Sequence, residues 1–267
     1  MAVDEPEAVL VARDLTIGYG ASRRVAGPLD MELRRGEVTC LLGANGAGKS
    51  TLLRTLARQQ PALSGRIEVE GRDLSSATLR EVARMMSVVY TERTNAGALI
   101  VREVVGLGRQ PFTGFFGRLD DSDREIVDRS LEAVGISALA DRFVATLSDG
   151  ERQKTMIARG VAQQAPVMIL DEPTSFLDVA SRLEVMELLR RLAAEQRTAV
   201  LLSTHDVGDA LNIANHLWLI TPDHQFISGP TDLLIANGSM DRIFPGRNII
   251  FDPSARDFRL KCIENRD

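Results

Sequence analysis

Gly43-Ala44-Asn45-Gly46-Ala47-Gly48-Lys49-Ser50 lies between the apolar run Val38-Thr39-Cys40-Leu41-Leu42 and a segment with apolar positions at Leu52, Leu53 and Leu56. The run reads as a parallel strand covered on both faces, and the segment, opened by Ser50-Thr51, as an amphipathic helix. Glycines at 43, 46 and 48 let successive backbone N–H groups turn inward around an anion, and the helix aims its positive N-terminal end at the same point. Lys49 is then placed to reach β- and γ-phosphates, and the Ser50 hydroxyl to hold Mg²⁺. A glycine-rich turn serving backbone geometry alone accounts for the glycines, but not for Lys49-Ser50 or the strand-to-helix setting. The stretch implies a nucleoside triphosphate ligand bound by residues 43 to 51.

Upstream, Val9 to Tyr19 and Leu29 to Leu33 alternate apolar and polar residues as half-buried strands do, and Ile67 to Gly71 joins them in a small antiparallel layer. Leu79 to Met85 reads as a short helix leading into a strand at Ser87 to Tyr90. From Val101 to about Gly160 the pattern is helical, with Asp120-Asp121-Ser122-Asp123 as a helix start. The short apolar strands Val167 to Leu170 and Thr198 to Ser203 flank an amphipathic helix, and this β-helix-β alternation implies an open parallel sheet. Leu217 to Ile220 adds a strand. The expected fold is α/β: a P-loop NTPase with a parallel core sheet, an antiparallel β layer and an inserted α-helical subdomain at about 92–160. The expected domain organisation is a single domain over 1–267, with a C-terminal appendage at about 230–267 that carries no chemical motif.

A chain of 267 residues with a formal net charge of -5 is a poor general nucleic-acid binder, since such binding rests on many Lys and Arg at phosphates. Cys40 in the core strand and Cys262 in the tail suggest neither a disulfide framework nor a zinc site. Asp4, Glu5 and Glu7 stand where a signal peptide carries positive charge, and no apolar run approaches the roughly 18 residues that span a bilayer. Work at a membrane would therefore go through another chain.

Two acids, Asp171 and Glu172, directly follow the strand Val167 to Leu170, at the edge where open α/β sheets bind ligands. Asp171 is placed to position Mg²⁺ and Glu172 to polarise a water attacking the γ-phosphate. A helix cap before Pro173 explains one acid, not the pair. His205 follows the next apolar strand and should emerge at the same edge, as a γ-phosphate sensor or stabiliser.

The phosphate loop, Leu147-Ser148-Asp149-Gly150-Glu151, Leu170-Asp171-Glu172-Pro173-Thr174, Ser175-Phe176-Leu177-Asp178 and His205 occur in the order of an ABC-type ATPase, and the chain resembles that family from about Leu10 to Gly229. The resemblance implies an RecA-like core and a homodimer sandwiching two ATP molecules. Each ATP would lie between the phosphate loop of one subunit and Ser148, Asp149 and Gly150 of the other. It also implies that Tyr19 stacks on adenine, that Asp178 communicates between the sites, and that Glu172 and His205 are catalytic. The resemblance places the protein on the cytoplasmic face of the inner or plasma membrane, with integral-membrane permease subunits and, indirectly, a substrate-binding protein.

Two departures stand out. The family's usual Leu-Ser-Gly-Gly-Gln has Asp149 and Glu151 here. A carboxylate about 5 Å from a phosphate charge costs roughly 3 kcal/mol at an effective dielectric near 20, against the roughly 0.3–1 kcal/mol a helix N-terminus supplies. Asp149 must therefore point away or be neutralised, and Arg152 and Lys154 are near enough in sequence to do it. Where the family has a magnesium-contacting Gln after the strand ending at Tyr90, this chain has Thr91 and then Glu92, so Thr91 is the candidate ligand and Glu92 its rival.

Gly108-Arg109-Gln110-Pro111, followed by Phe112, Phe115 and Phe116, resembles a stretch in ATPase subunits of iron-siderophore, haem and vitamin B12 importers. It implies either a packed aromatic cluster or a grip on a permease. The expected function is an ATPase energising import of such a chelate. Alternatives are a soluble ABC ATPase for assembly, as in iron-sulfur cluster biogenesis, and, more remotely, a small-molecule kinase.

Overall fold

Alternation near the N-terminus builds the antiparallel layer. β1 (Ala8–Tyr19) buries Leu10, Ala12, Leu15 and Ile17, and β2 (Arg23–Arg34) buries Ala26, Leu29, Met31 and Leu33. The computed structural model describes residues 6–20, 23–90, 98–114, 116–246 and 248–261. β2 starts well before the expected Leu29 because pairing with β1 continues to Tyr19 opposite Arg23, beyond the reach of the apolar pattern. β4 (Ser64–Val69) pairs antiparallel with the other edge of β1 and carries β5 (Arg72–Asp73).

The second sheet has six strands: β3 (Val38–Gly43), β6 (Met86–Tyr90), β7 (Val167–Asp171), β8 (Ala199–Ser203), β9 (His216–Ile220) and β10 (Phe226–Pro230). Their order is β10-β9-β3-β8-β7-β6, with every pair parallel except β10 against β9. The two-residue period of a strand sorts their side chains between two cores. Leu41, Ile169, Leu201 and Trp218 pack with the antiparallel layer and with Leu52, Leu53 and Leu56 of α1 (Lys49–Leu56). Cys40, Leu42, Leu170 and Leu202 face the helices on the opposite side. Both faces are covered, which is why these strands read as nearly unbroken apolar runs. Burial pushes the Cys40 thiol up, and the cysteine is free.

α2 (Leu79–Met85) leads straight into β6, and its start is fixed by a reciprocal Thr78–Glu81 cap. The helical region contains α3 (Val101–Gly106), α4 (Asp121–Val134) and α5 (Asp149–Ala162). α4 starts where the acidic cluster predicts it, with the Asp120 carboxylate accepting from Asp123 N at 2.8 Å, and stops at Gly135 with φ 76°.

Arg109 sits inside this region, 5% exposed. Its Nε donates to Asp123 Oδ1 at 2.8 Å and its Nη1 to Ala162 O at 2.9 Å, while the guanidinium lies 4.1 Å from the centre of the Phe112 ring. A Cβ on Gly108 would stand 2.2 Å from Arg159 O, so only glycine fits that close approach to α5. The Gly108-Arg109 pair thus braces the start of α4 against the end of α5, whereas Phe116 is exposed; Phe115 lies outside the described residues. Arg109→Met strands a buried carboxylate and is expected to cost about 3–5 kcal/mol in urea unfolding. A loss below about 1 kcal/mol would contradict the brace.

α6 (Val179–Gln196) lies between β7 and β8, and α7 (Val207–Ile213) between β8 and β9. α8 (Thr231–Ala236) and the hairpin of β11 (Ile249–Asp252) and β12 (Asp257–Leu260) form the C-terminal part. Phe244 and Phe251 each meet Phe258 edge-on, with centroids 5.0 and 5.3 Å apart, and Met240, Ile243 and Phe251 join the core on the α6 side of the sheet. Among the described residues no helix is long and apolar enough to cross a membrane.

Candidate functional site

Parallel register brings the carboxyl ends of β3, β7 and β8 to one edge, with Leu41 and Asp171 both opposite Ser203. These ends carry the Gly43–Ser50 loop, the Asp171-Glu172 pair and His205. A cleft of about 520 Å³ opens there, lined by Tyr19, Asn45, Lys49, Ser50, Glu172 and His205, with Arg23, Val25, Gly46, Gly48 and Thr51 completing its wall.

The loop needs its glycines. Gly46 and Gly48 take φ 79° and 106°, and a Cβ on Gly48 would meet Val25 Cγ1 at 2.6 Å. Gly43 has no room either, with Ile220 O at 2.6 Å from a Cβ. Ala47 is buried, and its N–H donates to Ala44 O at 3.1 Å, which closes the turn. Lys49 is buried and folds its ammonium across the loop, donating to Gly43 O at 2.8 Å and Ala44 O at 3.3 Å. Burial pulls its pKa below the ordinary value, opposed by the Glu172 and Asp171 carboxylates. Tyr19 keeps its ring half exposed while its hydroxyl and Thr51 Oγ1 share a hydrogen bond of 2.8 Å.

Asp171 is the last residue of β7, and its Oδ1 accepts from Ser203 Oγ at 2.6 Å. Glu172 adopts φ 52°, a region that favours glycine, and its backbone N donates to Ser203 Oγ at 3.0 Å. Its Oε2 accepts from Ser175 Oγ at 3.0 Å, and its Oε1 touches His205 Nε2. These contacts hold Glu172 in a backbone conformation that a side chain rarely adopts unsupported. The sequence alone gives no role to Ser203 or Ser175, although Ser175 opens the Ser175–Asp178 motif. The signals for them were a serine at a strand end and, for Ser175, its place in that motif three residues after Glu172.

Ser148, Asp149, Gly150 and Asp178 do not line this cleft. Ser148 caps α5: its Oγ accepts from Glu151 N at 3.2 Å, and Glu151 Oε2 accepts from Ser148 N at 2.9 Å, which holds the Glu151 carboxyl below its usual range. Asp149 pairs with Arg152 at 2.7 Å, so its charge is neutralised as the sequence requires. Lys154 does not take part, because it reaches Glu184 on α6 at 2.6 Å. Gly150 is held against α6, where a Cβ would lie 2.9 Å from Ser181 Oγ. Asp178 caps α6 by accepting from Ser181 N at 2.8 Å, a bond that lowers its pKa. Thr91 and Glu92 lie outside the described residues.

The family model described as ABC transporter matches residues 26–175. The chain belongs to the ABC transporter family. It is 36% identical over 248 residues to the ferric enterobactin transport ATP-binding protein FepC of Escherichia coli, covering 93% of this chain and 91% of that one. It is also 36% identical over 208 residues to the iron(3+)-hydroxamate import ATP-binding protein FhuC of Bacillus subtilis, covering 78% and 77%. Among solved structures, cbiO1 of Clostridium perfringens, part of the ABC transporter complex cbiONQ, superposes with a TM-score of 0.78 at 26% identity, over 89% of this chain and 94% of that one. The fold is that of an ABC ATPase, with a P-loop NTPase core and an antiparallel layer. As an ABC ATPase, the chain binds nucleotide and hydrolyses ATP to power transport.

Proposed function

We propose that this chain, as a single domain with its helical subdomain at about 92–160 and its C-terminal appendage at about 230–267, energises import of a metal chelate of the iron-siderophore, haem or cobalamin kind. It works as a homodimer under integral-membrane permease subunits, on the cytoplasmic face of the inner or plasma membrane. A substrate-binding protein, periplasmic or lipid-anchored, delivers the cargo from the far side. The observation that carries the cargo class is the similarity to FepC and FhuC, over 93% and 78% of this chain. Both are transport proteins for iron chelates, which favours import over the soluble assembly role.

A glycine loop with a buried ammonium, close to the Asp171 and Glu172 carboxylates at a strand end, suits a polyphosphate carrying a cation. Tyr19 offers its ring to adenine. Backbone N–H groups of residues 43–49, Ser50 and Thr51 cradle the phosphates, and Lys49 exchanges its loop carbonyls for the β- and γ-phosphates. Ser50, Asp171 and Thr91 would hold Mg²⁺, which when bound neutralises phosphate charge; Ser203 orients Asp171 for this. Glu172 takes a proton from water as the water oxygen bonds to the γ-phosphorus. The bond from that phosphorus to the bridging oxygen breaks, releasing ADP and inorganic phosphate. His205 steadies the Glu172 carboxylate and donates to the γ-phosphate.

Ser148 and the Gly150 N–H of the second copy donate to the same phosphate. In its cap Ser148 Oγ serves as acceptor, so its own O–H proton remains to give. Asp149 is paired with Arg152, which offsets its charge near that phosphate. Asp178, at the head of α6, relays the state of one cleft to the other. The direct test is uptake of ⁵⁵Fe-siderophore, haem and labelled cobalamin by vesicles holding the chain with its permease and binding protein. ATP-driven accumulation of one of them is expected. Accumulation of none, with intact ATP hydrolysis, would overturn the cargo class.

A further inference from the structure

One guanidinium ties the helix after Asp178 to the helix after His205. Arg182 lies in the first turn of α6, and its backbone N donates to Asp178 O at 2.9 Å. Its Nη1 stands 2.8 Å from Asp206 Oδ2 and its Nε 2.8 Å from Asp209 Oδ2. The Asp209 contact is Coulombic, since both atoms are buried and their angle falls outside hydrogen-bonding range. Asp206 directly follows His205 and caps α7, its Oδ1 accepting from Asp209 N at 3.0 Å, while its own N donates to Thr204 Oγ1 at 3.1 Å. Burial first, and then the Asp206 charge, push the Asp209 carboxyl above its ordinary value, and Arg182 opposes them.

These contacts close a ring. Glu172 touches His205 and accepts from Ser175, and three residues on Asp178 opens α6. Arg182 crosses from α6 to the carboxylates that start α7, and the chain returns to His205. We propose that Arg182 is a positioning residue for His205: it sets the stance of the imidazole against Glu172 and makes that stance follow the Ser175–Asp178 segment. The inference rests on the reading of Glu172 and His205 as the hydrolysis pair.

The geometry argues for more than general support. α6 and α7 already share an apolar core that includes Val185, Leu189, Ala210 and Leu211, so their packing does not depend on a side chain that is 30% exposed. Among the described residues, Arg182 is the one that sets a positive charge between Asp206 and Asp209. Without it, two carboxylates face one another at the first turn of α7, and their repulsion reorients the loop carrying His205.

The test uses the full-length chain. Its three histidines, His205, His216 and His224, give three sets of imidazole signals in a ¹⁵N-histidine spectrum. Arg182→Gln is expected to move the His205 signal and leave the other two in place. ATP turnover should fall about tenfold or more, with KM for ATP within about twofold of the unmodified chain, and Arg182→Lys should recover most of the turnover. An unmoved His205 signal with undiminished turnover would overturn the proposal. So would equal movement of all three signals, which marks general loosening. Should Arg182→Gln not fold, Arg182→Met removes the same charge while keeping a stem of similar reach, and is read the same way. Glu172→Gln run in parallel separates the two readings. If that variant keeps full turnover, the hydrolysis assignment fails; if it is inactive while Arg182→Gln behaves as the unmodified chain, only the role of Arg182 fails.

Discussion

Glu172→Gln lowers ATP turnover by at least about 100-fold, and by as much as about 10⁴-fold, while the chain still binds nucleotide. The amide keeps the shape of the carboxylate and can still accept from Ser175 Oγ, now 3.0 Å from Glu172 Oε2. It cannot take a proton from water. The loss therefore falls on kcat, with KM for ATP within about twofold, because the side chain acts on the attacking water and not on the bound phosphates. Phosphate release measured with the permease attached checks this. Turnover within about threefold of the unmodified protein would place the base elsewhere.

Lys49→Met removes the only lysine ammonium lining the described cleft while keeping a side chain of similar length in a buried position. In the nucleotide-free arrangement that ammonium is occupied by Gly43 O and Ala44 O. Binding a triphosphate exchanges these neutral partners for charged ones, and the phosphate charge opposes the lowering of the lysine pKa by burial. Loss of such a charge pair is worth about 2–4 kcal/mol, so the Kd for ATP should rise about 30- to 1000-fold, read by fluorescent-nucleotide titration. A Kd within about threefold of the original would mean that the loop backbone alone holds the phosphates.

Local chemistry made much of the fold legible. The phosphate loop announced itself because few arrangements need glycines at 43, 46 and 48 together with Lys49-Ser50. The apolar runs of β3, β7 and β8 announced themselves because both faces are buried. Capping made the start of α4 visible at Asp120. The need to neutralise Asp149 was legible from Coulomb's law, and Arg152 rather than Lys154 meets it because Glu184, thirty residues away on α6, claims the lysine.

What escaped depends on partners distant in sequence. The antiparallel edge strand β10, the early start of β2 and the strand order all follow from pairing, which leaves no periodic trace. The stretch opened by Gly108-Arg109 allowed two readings, a packed aromatic cluster or a grip on a permease. Its glycine is required by Arg159 O and its arginine by Asp123 and Ala162 O, contacts of fourteen to fifty-three residues' separation. The segment after Pro230 has no motif, yet three of its phenylalanines pack together and join the core beside β9. Within the cleft, Ser203 was invisible for the same reason: its value lies in reaching both Asp171 and Glu172 across two strands.

Closure of two copies around ATP is the step on which the proposed mechanism depends. Cryo-electron microscopy of the Glu172→Gln transporter, with permease present and Mg-ATP saturating, observes it directly. Two copies in contact are expected, each Ser148 facing the Gly43–Ser50 loop of the other across a bound triphosphate. Copies that stay apart, each holding ATP on its own loop with Ser148 facing solvent, would contradict it.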